Sequence, residues 1–206
     1  TLDLPYAMSH GLKNEGAKIT AQLLETTDAM EVVNEILIPA LDSAGKLFEQ
    51  GKIFLPQLIQ TASVAQAAFE VIKTTLIERN AAPVSRGEIV LATVKGDIHD
   101  IGKNIVRVLL ENYGYTVLDL GRDVPCQLVA DTAKEHGVKL VGLSALMTTT
   151  LGAMEETIQL VKQSCPDCKI VVGGAVLTAD YAEKIGADFY AKDAMETVAV
   201  AKEVVG

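Results

Sequence analysis

The chain has 206 residues, 49% of them hydrophobic and 22% charged, with a formal net charge of −9 and a pI near 4.8. Such a chain can bury a sizeable core and is not disordered, and its acidic balance argues against nucleic acid or an anionic membrane as partner, since both need clustered Lys and Arg. No apolar run approaches the roughly 20 residues that span a bilayer, and no signal-peptide pattern opens the chain, so a cytoplasmic protein is expected. The start at Thr1 rather than Met points to a piece of a longer protein.

From Tyr6 to Arg79 the apolar spacing is helical and predicts three or four helices. Leu12, Ile19, Leu23 and Leu24 are expected on one buried face, followed by Val32, Val33, Ile36, Leu37, Leu41, Ala44, Leu47 and Phe48. Asp28 with Glu31 reads as a capping box, Pro39 as a break or kink, Gly51 as a C-terminal cap and Pro56 as a first-turn residue. Phe54 and Leu58 sit at the entry corner of the last helix, which packs in the core or covers a ligand. The Pro, Gly and Ser of 80–87 mark a boundary, giving an all-α cap over 1–82, a linker at 83–87 and an α/β domain over 88–206.

Cys126, Cys165 and Cys168 are too few for a disulfide framework. Cys165 and Cys168 form a CxxC that closes a helix, whereas redox pairs open one, and no second Cys/His pair completes a zinc site.

After the boundary, strand and helix patterns alternate five times, with strands expected near 88–94, 116–120, 140–143, 170–172 and 188–190. Five such units fit a flavodoxin-like, Rossmann-like parallel sheet of order 2-1-3-4-5, whose ligand crevice lies between the first and third strands. The first strand is followed by Gly96, Asp97, Ile98, His99, Asp100, Ile101 and Gly102, an imidazole between carboxylates with glycines at both ends. Two roles fit this turn: a polar helix cap, or a metal ligand at His99 whose second ring nitrogen donates to Asp97. The loops after the third and fourth strands bring Ser144, Leu146, Thr148 and Thr150, and then Gly173 and Gly174, to the same crevice. Ser144 and Thr148 can satisfy polar atoms of a ligand, Thr150 can reach Asp97, and the glycine pair lets a bulky group approach the backbone; helix capping by one of the threonines remains open.

Familiar α/β ligands fail residue by residue. Five residues separate Gly96 from Gly102 and Asn104 follows Lys103, which excludes a Walker A loop. No GxGxxG follows the first strand, and Ser144 stands where a receiver domain carries its phosphoacceptor aspartate.

These residues resemble the cobalamin-binding modules of corrinoid-dependent methyltransferases. Asp97, His99 and Gly102 match the family's Asp-x-His-x-x-Gly, Ser144 and Leu146 its Ser-x-Leu, and Gly173 with Gly174 its Gly-Gly. The helical half is similar to the family's cap, with 51–57 matching a Phe-Leu-Pro segment. The resemblance implies cobalamin, as methylcobalamin or a related corrinoid, bound base-off with His99 as the lower ligand of cobalt. Asp97 and Thr150 would complete a proton relay from His99. Gly96, Asp97, Ile98, His99, Asp100, Gly102, Ser144, Leu146, Thr148, Gly173, Gly174 and Ala194 would contact the cofactor, with Phe54 and Leu58 over its upper face. It implies a methyl group carried on cobalt, cycling between methyl-Co(III) and Co(I), with methyl-donor and methyl-acceptor domains or subunits and a reductive reactivation partner. Within the family, the stretch 188–196 looks most like the module of cobalamin-dependent methionine synthase, which moves a methyl group from 5-methyltetrahydrofolate to homocysteine. The alternatives are a free-standing corrinoid protein serving methanol, methylamine or methoxyaryl methyltransferases, and a cobalamin-sensing module without turnover.

Overall fold

A computed structural model describes residues 2–79 and 85–206, and the chain divides into two compact units. Of the expected boundary segment, 80–84 lies outside the described residues.

The helical unit comprises 1–85 together with 111–114. Its helices are α1 (Leu4–Ser9), α2 (Lys13–Leu23), α3 (Ala29–Val32), α4 (Ile38–Glu49) and α5 (Leu55–Glu78). Local chemistry sets the ends. Asp3 accepts the Tyr6 N–H and Asp28 that of Met30, while Gln57 reaches back to the Phe54 N–H at 2.7 Å. Gly51, at φ +69°, ends α4 as expected. Pro39 does not break the chain: a π-helical turn, Val33–Leu37, precedes it and absorbs the shift in hydrogen-bond register, so α4 continues through the proline.

The core of this unit forms along α5, where Leu58, Ala62, Ala65, Phe69 and Ile72 recur at three- and four-residue intervals and are all buried. Against it, α2 presents Gly16 and Thr20, not Ile19 and Leu23, which are half-buried. A Cβ on Gly16 would stand 2.5 Å from Val64 Cγ1, so the two helices approach too closely for a larger side chain. Thr20 fits because its hydroxyl donates to the Gly16 carbonyl at 2.7 Å. Leu58 has no exposed surface, whereas Phe54 is 74% exposed. The expected pairing of these two side chains over a ligand is therefore corrected for Leu58, which is a core residue.

The α/β unit (86–110 and 115–206) contains β1 (Glu88–Thr93), α6 (Ile101–Asn112), β2 (Thr116–Asp119), α7 (Cys126–His136), β3 (Leu140–Ser144), α8 (Leu151–Ser164), β4 (Lys169–Gly173), α9 (Ala179–Lys184), β5 (Phe189–Tyr190) and α10 (Ala194–Val204). The last residues of α6 group with the helical unit. All pairings are parallel, in the order β2-β1-β3-β4-β5, and β1, β3 and β4 carry continuous buried runs because helices cover both faces. Cys165 caps the end of α8, and Cys168 is a buried free thiol pushed up to about 12 by burial and by the neighbouring Cys165, which makes it a poor nucleophile. Among the described residues no helix is long and apolar enough to cross a membrane.

Leu58→Ala is expected to cost about 2–5 kcal/mol of stability in urea unfolding, the range for emptying a packed leucine site.

Candidate functional site

Strand register levels the three loops. Thr93 of β1 pairs with Ser144 of β3, and Ser144 with Gly173 of β4, so the chains leave the sheet side by side. The Thr93 and Ser144 hydroxyls share a hydrogen bond of 2.9 Å across this edge. β1 is held a residue further by the Val94 N–H on the Ser144 carbonyl and by a bridge from Val94 to Val124. Gly96 then turns the chain at φ +86° and delivers Asp97 beneath the loop that follows β3.

Asp97 is completely buried, and both carboxylate oxygens are engaged. Oδ1 accepts the His99 backbone N–H at 3.0 Å and the His99 ring Nδ1–H at 2.8 Å. Oδ2 accepts the Leu146 N–H at 2.7 Å, the Met147 N–H at 3.3 Å and the Thr150 hydroxyl at 3.0 Å. Burial alone would raise the pKa of this carboxyl. The His99 and Leu146 amides, with the His99 ring and Thr150 hydroxyl, outweigh burial and hold it well below the usual carboxylate range. An ionised Asp97 can only accept, so Nδ1 carries a proton and Nε2 is the ring nitrogen left for a ligand. The His99 side chain is 45% exposed, and among the described residues nothing engages Nε2.

Thr150 is buried, and its one hydroxyl proton is shared between Asp97 and the Met147 carbonyl at 2.8 Å. It ties the Asp97 carboxylate to the loop that follows β3.

His99 stands at an open groove of about 940 Å³. From its own turn Ile98, Asp100 and Gly102 line the groove, and from the next loop Ser144 and Leu146. Gly173, Gly174 and Ala194 form the far wall. Gly174 has φ +138° and a Cβ there would lie 1.8 Å from the Ala145 carbonyl oxygen, so close approach of two loops demands glycine. Gly102 differs: a Cβ there would meet nothing within 4 Å, and its absence serves the groove and not the packing. Thr148 is exposed in a 3₁₀ turn (Thr148–Thr150) and lies outside the lining, as does Gly96, whose role is the turn.

Composition and spacing did not reveal a buried ion pair under the site. Lys103 of α6, its side chain only 3% exposed, donates to both Asp119 oxygens at 2.6 and 2.8 Å, and Arg107 adds a third bond at 3.2 Å. Nothing local in the sequence marks a partner for this lysine; the order 2-1 of the first two strands puts Asp119, at the end of β2, within its reach. Asp123 was likewise missed; its carboxylate accepts the Gly96 N–H at 2.7 Å.

Among the described residues no cluster of three or more His, Cys, Asp or Glu could hold a bare metal ion. A single imidazole beside a large open groove, flanked by the exposed apolar Ile98, Ile101 and Leu146, suits a metal already held in its own macrocycle. The residues fit a corrinoid. The fold and site thus define an α/β carrier of a bulky metallocofactor, with one protein ligand offered from the β1–α6 turn. The chain matches the B12 binding domain family over residues 87–199, and a second B12 binding domain family over 3–73, and it belongs to the B12-binding proteins. It is 43% identical to dimethylamine corrinoid protein 1 of Methanosarcina acetivorans, over 86% of this chain and 84% of that protein. A cobalamin-binding protein from Desulfitobacterium hafniense superposes with a TM-score of 0.80 at 32% identity, covering 98% and 97% of the two chains. The methanol:cobalamin methyltransferase complex of Methanosarcina barkeri gives 0.85 at 27% identity, covering 98% of this chain and 78% of that one. The cofactor is a corrinoid, and of these three proteins the Methanosarcina barkeri one is a methyltransferase complex. The three do not support the methionine synthase assignment, or the role in methionine biosynthesis that came with it.

Asp119→Asn is expected to destabilise the chain by about 3–5 kcal/mol at neutral pH, because it strips the buried Lys103 of its full counter-charge. Although burial opposes it, hydrogen bonding and the Lys103 and Arg107 charges hold the Asp119 pKa below its ordinary value. Its contribution is thus fully present above about pH 4 and is lost as pH falls through the lower folded value. In denaturant titrations the gap between wild type and variant should narrow only in that acid range.

Proposed function

We propose that this chain is the corrinoid-carrying protein of a methylamine-class methyltransferase system, receiving a methyl group from a substrate-specific methyltransferase subunit and presenting it to a second one. The observation that carries this reading is the His99 imidazole, its Nδ1 proton fixed on a buried, ionised Asp97 and its Nε2 turned free at the groove. The 43% identity to a dimethylamine corrinoid protein favours methylamines over the folate and homocysteine of the methionine synthase reading. The similarity to a methanol methyltransferase complex supports a methyltransferase subunit as partner. A reductive reactivation partner belongs to the same proposal.

When bound, the corrinoid supplies the cobalt that carries the methyl group. The protein's share is orientation and charge. His99 would hold the cobalt through Nε2, and the Asp97 carboxylate would make that nitrogen a better donor by holding the opposite ring proton. Thr150 and the Leu146 and Met147 amides hold the carboxylate in place, which leaves the imidazole as the part of the network that can adjust. Ser144, Gly173 and Gly174, which line the groove, would hold the cofactor's displaced nucleotide arm. The chain is a carrier; the substrate chemistry resides on its partner.

Cobalamin added to the purified chain should give a base-off, histidine-ligated spectrum that is lost in His99→Ala. With a dimethylamine-specific methyltransferase, methylation of the loaded chain should depend on dimethylamine. Identical spectra for wild type and variant would remove His99 as ligand, and methylation by methyltetrahydrofolate alone would overturn the methylamine assignment.

A further inference from the structure

The loop between β2 and α7 carries the one non-glycine residue with positive φ among the described residues, Asp123 at +52°. Its Oδ1 accepts the Gly96 N–H at 2.7 Å, and its own N–H donates to the Asp97 carbonyl at 2.9 Å. One residue therefore grips the backbone of the His99 turn on both sides of the Gly96–Asp97 peptide. The Asp97 side chain is gripped from the opposite loop by Leu146, Met147 and Thr150. Asp123 does not line the groove and touches no expected part of a ligand.

A left-handed turn alone would be served by glycine, and this loop already uses one at Gly121, φ +94°, two residues earlier. At 123 the chain instead carries an aspartate, a residue that tolerates the left-handed region and adds an acceptor. The acceptor lies where the Gly96 N–H, at the apex of a tight turn, would otherwise bond only to water. The Val94–Val124 bridge brings the loop alongside without fixing the turn beyond it.

We propose that Asp123 is a positioning residue for His99: its carboxylate locks the Gly96–Asp97 backbone, so that Asp97 is clamped from two loops and the imidazole is held toward the groove. The proposal rests on the reading of His99 as the axial ligand. It separates two properties of Asp123, the left-handed backbone and the acceptor oxygen, and different substitutions remove them one at a time. Asp123→Gly keeps the backbone freedom and deletes the acceptor. Asp123→Asn keeps both, and Asp123→Ser leaves a shorter acceptor.

The test has two arms on the full chain. In the cofactor-free protein, amide hydrogen exchange at Gly96 and His99 should quicken by about three- to tenfold in Asp123→Gly, the size expected of one net hydrogen bond. Asp123→Asn should exchange as wild type, Asp123→Ser should fall between, and the melting temperatures should stay close together. In cobalamin-loaded protein labelled with ¹⁵N in histidine alone, the fraction of Co(II) whose electron paramagnetic resonance shows ¹⁵N doublets should drop in Asp123→Gly and recover in Asp123→Asn. Unchanged His99 exchange in Asp123→Gly would overturn the proposal, as would equal loosening in Asp123→Gly and Asp123→Asn. If wild type labelled in this way shows only ¹⁴N triplets, the axial-ligand reading fails, while the exchange arm still decides whether Asp123 holds the turn.

Discussion

The site depends on one buried carboxylate. Asp97 has no exposed surface, and a lone charge in that place would be expelled or neutralised. It stays ionised because five donors reach its two oxygens, two from His99 next to it in sequence and three from residues 49 to 53 positions further on. The charge thus binds the β1–α6 turn to the β3–α8 loop and dictates which ring nitrogen of His99 is protonated. The neighbouring order of β1 and β3 exists at a switch point of the sheet, and without it the two loops would not meet.

The same constraint explains why the supporting polar groups are arranged around α6. The helix that follows His99 carries Lys103 into the interior, where Asp119 and Arg107 answer its charge. A buried pair of this kind is a poor source of net stability compared with apolar packing, but it is costly to break and it fixes the position of α6. With the helix start fixed by Lys103 and the turn fixed by Asp97, His99 has little freedom except rotation of its own ring. Gly102, one turn above, leaves the space that such a ring faces.

Much of this was legible in the sequence. The alternation of strand and helix gave the sheet order, because buried parallel strands are continuous β-branched runs with short connections. The Asp97–His99–Thr150 network followed from that order, since it places the loops after β1 and β3 together. What could not be read were pairings that depend on depth. Gly16 and Thr20 form the α2 interface because two helices come too close for leucine, and periodicity that counts large apolar residues favours Ile19 instead. Leu58 was assigned to a ligand cover from its place beside Phe54, though one turn of helix carries it into the core. Thr148 was grouped with its neighbours, yet a 3₁₀ turn sends Thr148 outward and Thr150 inward. Lys103 and Asp123 gave no local signal, because their partners are brought in by strand order and by a left-handed backbone.

The central claim, that the protein's own imidazole is the lower ligand of the corrinoid, is tested most directly by isotope. Protein labelled with ¹⁵N in histidine alone, loaded with unlabelled cobalamin and reduced to Co(II), should show nitrogen splitting as doublets, since ¹⁵N has spin one-half. Triplets, the pattern of ¹⁴N from the cofactor's own base, would contradict it.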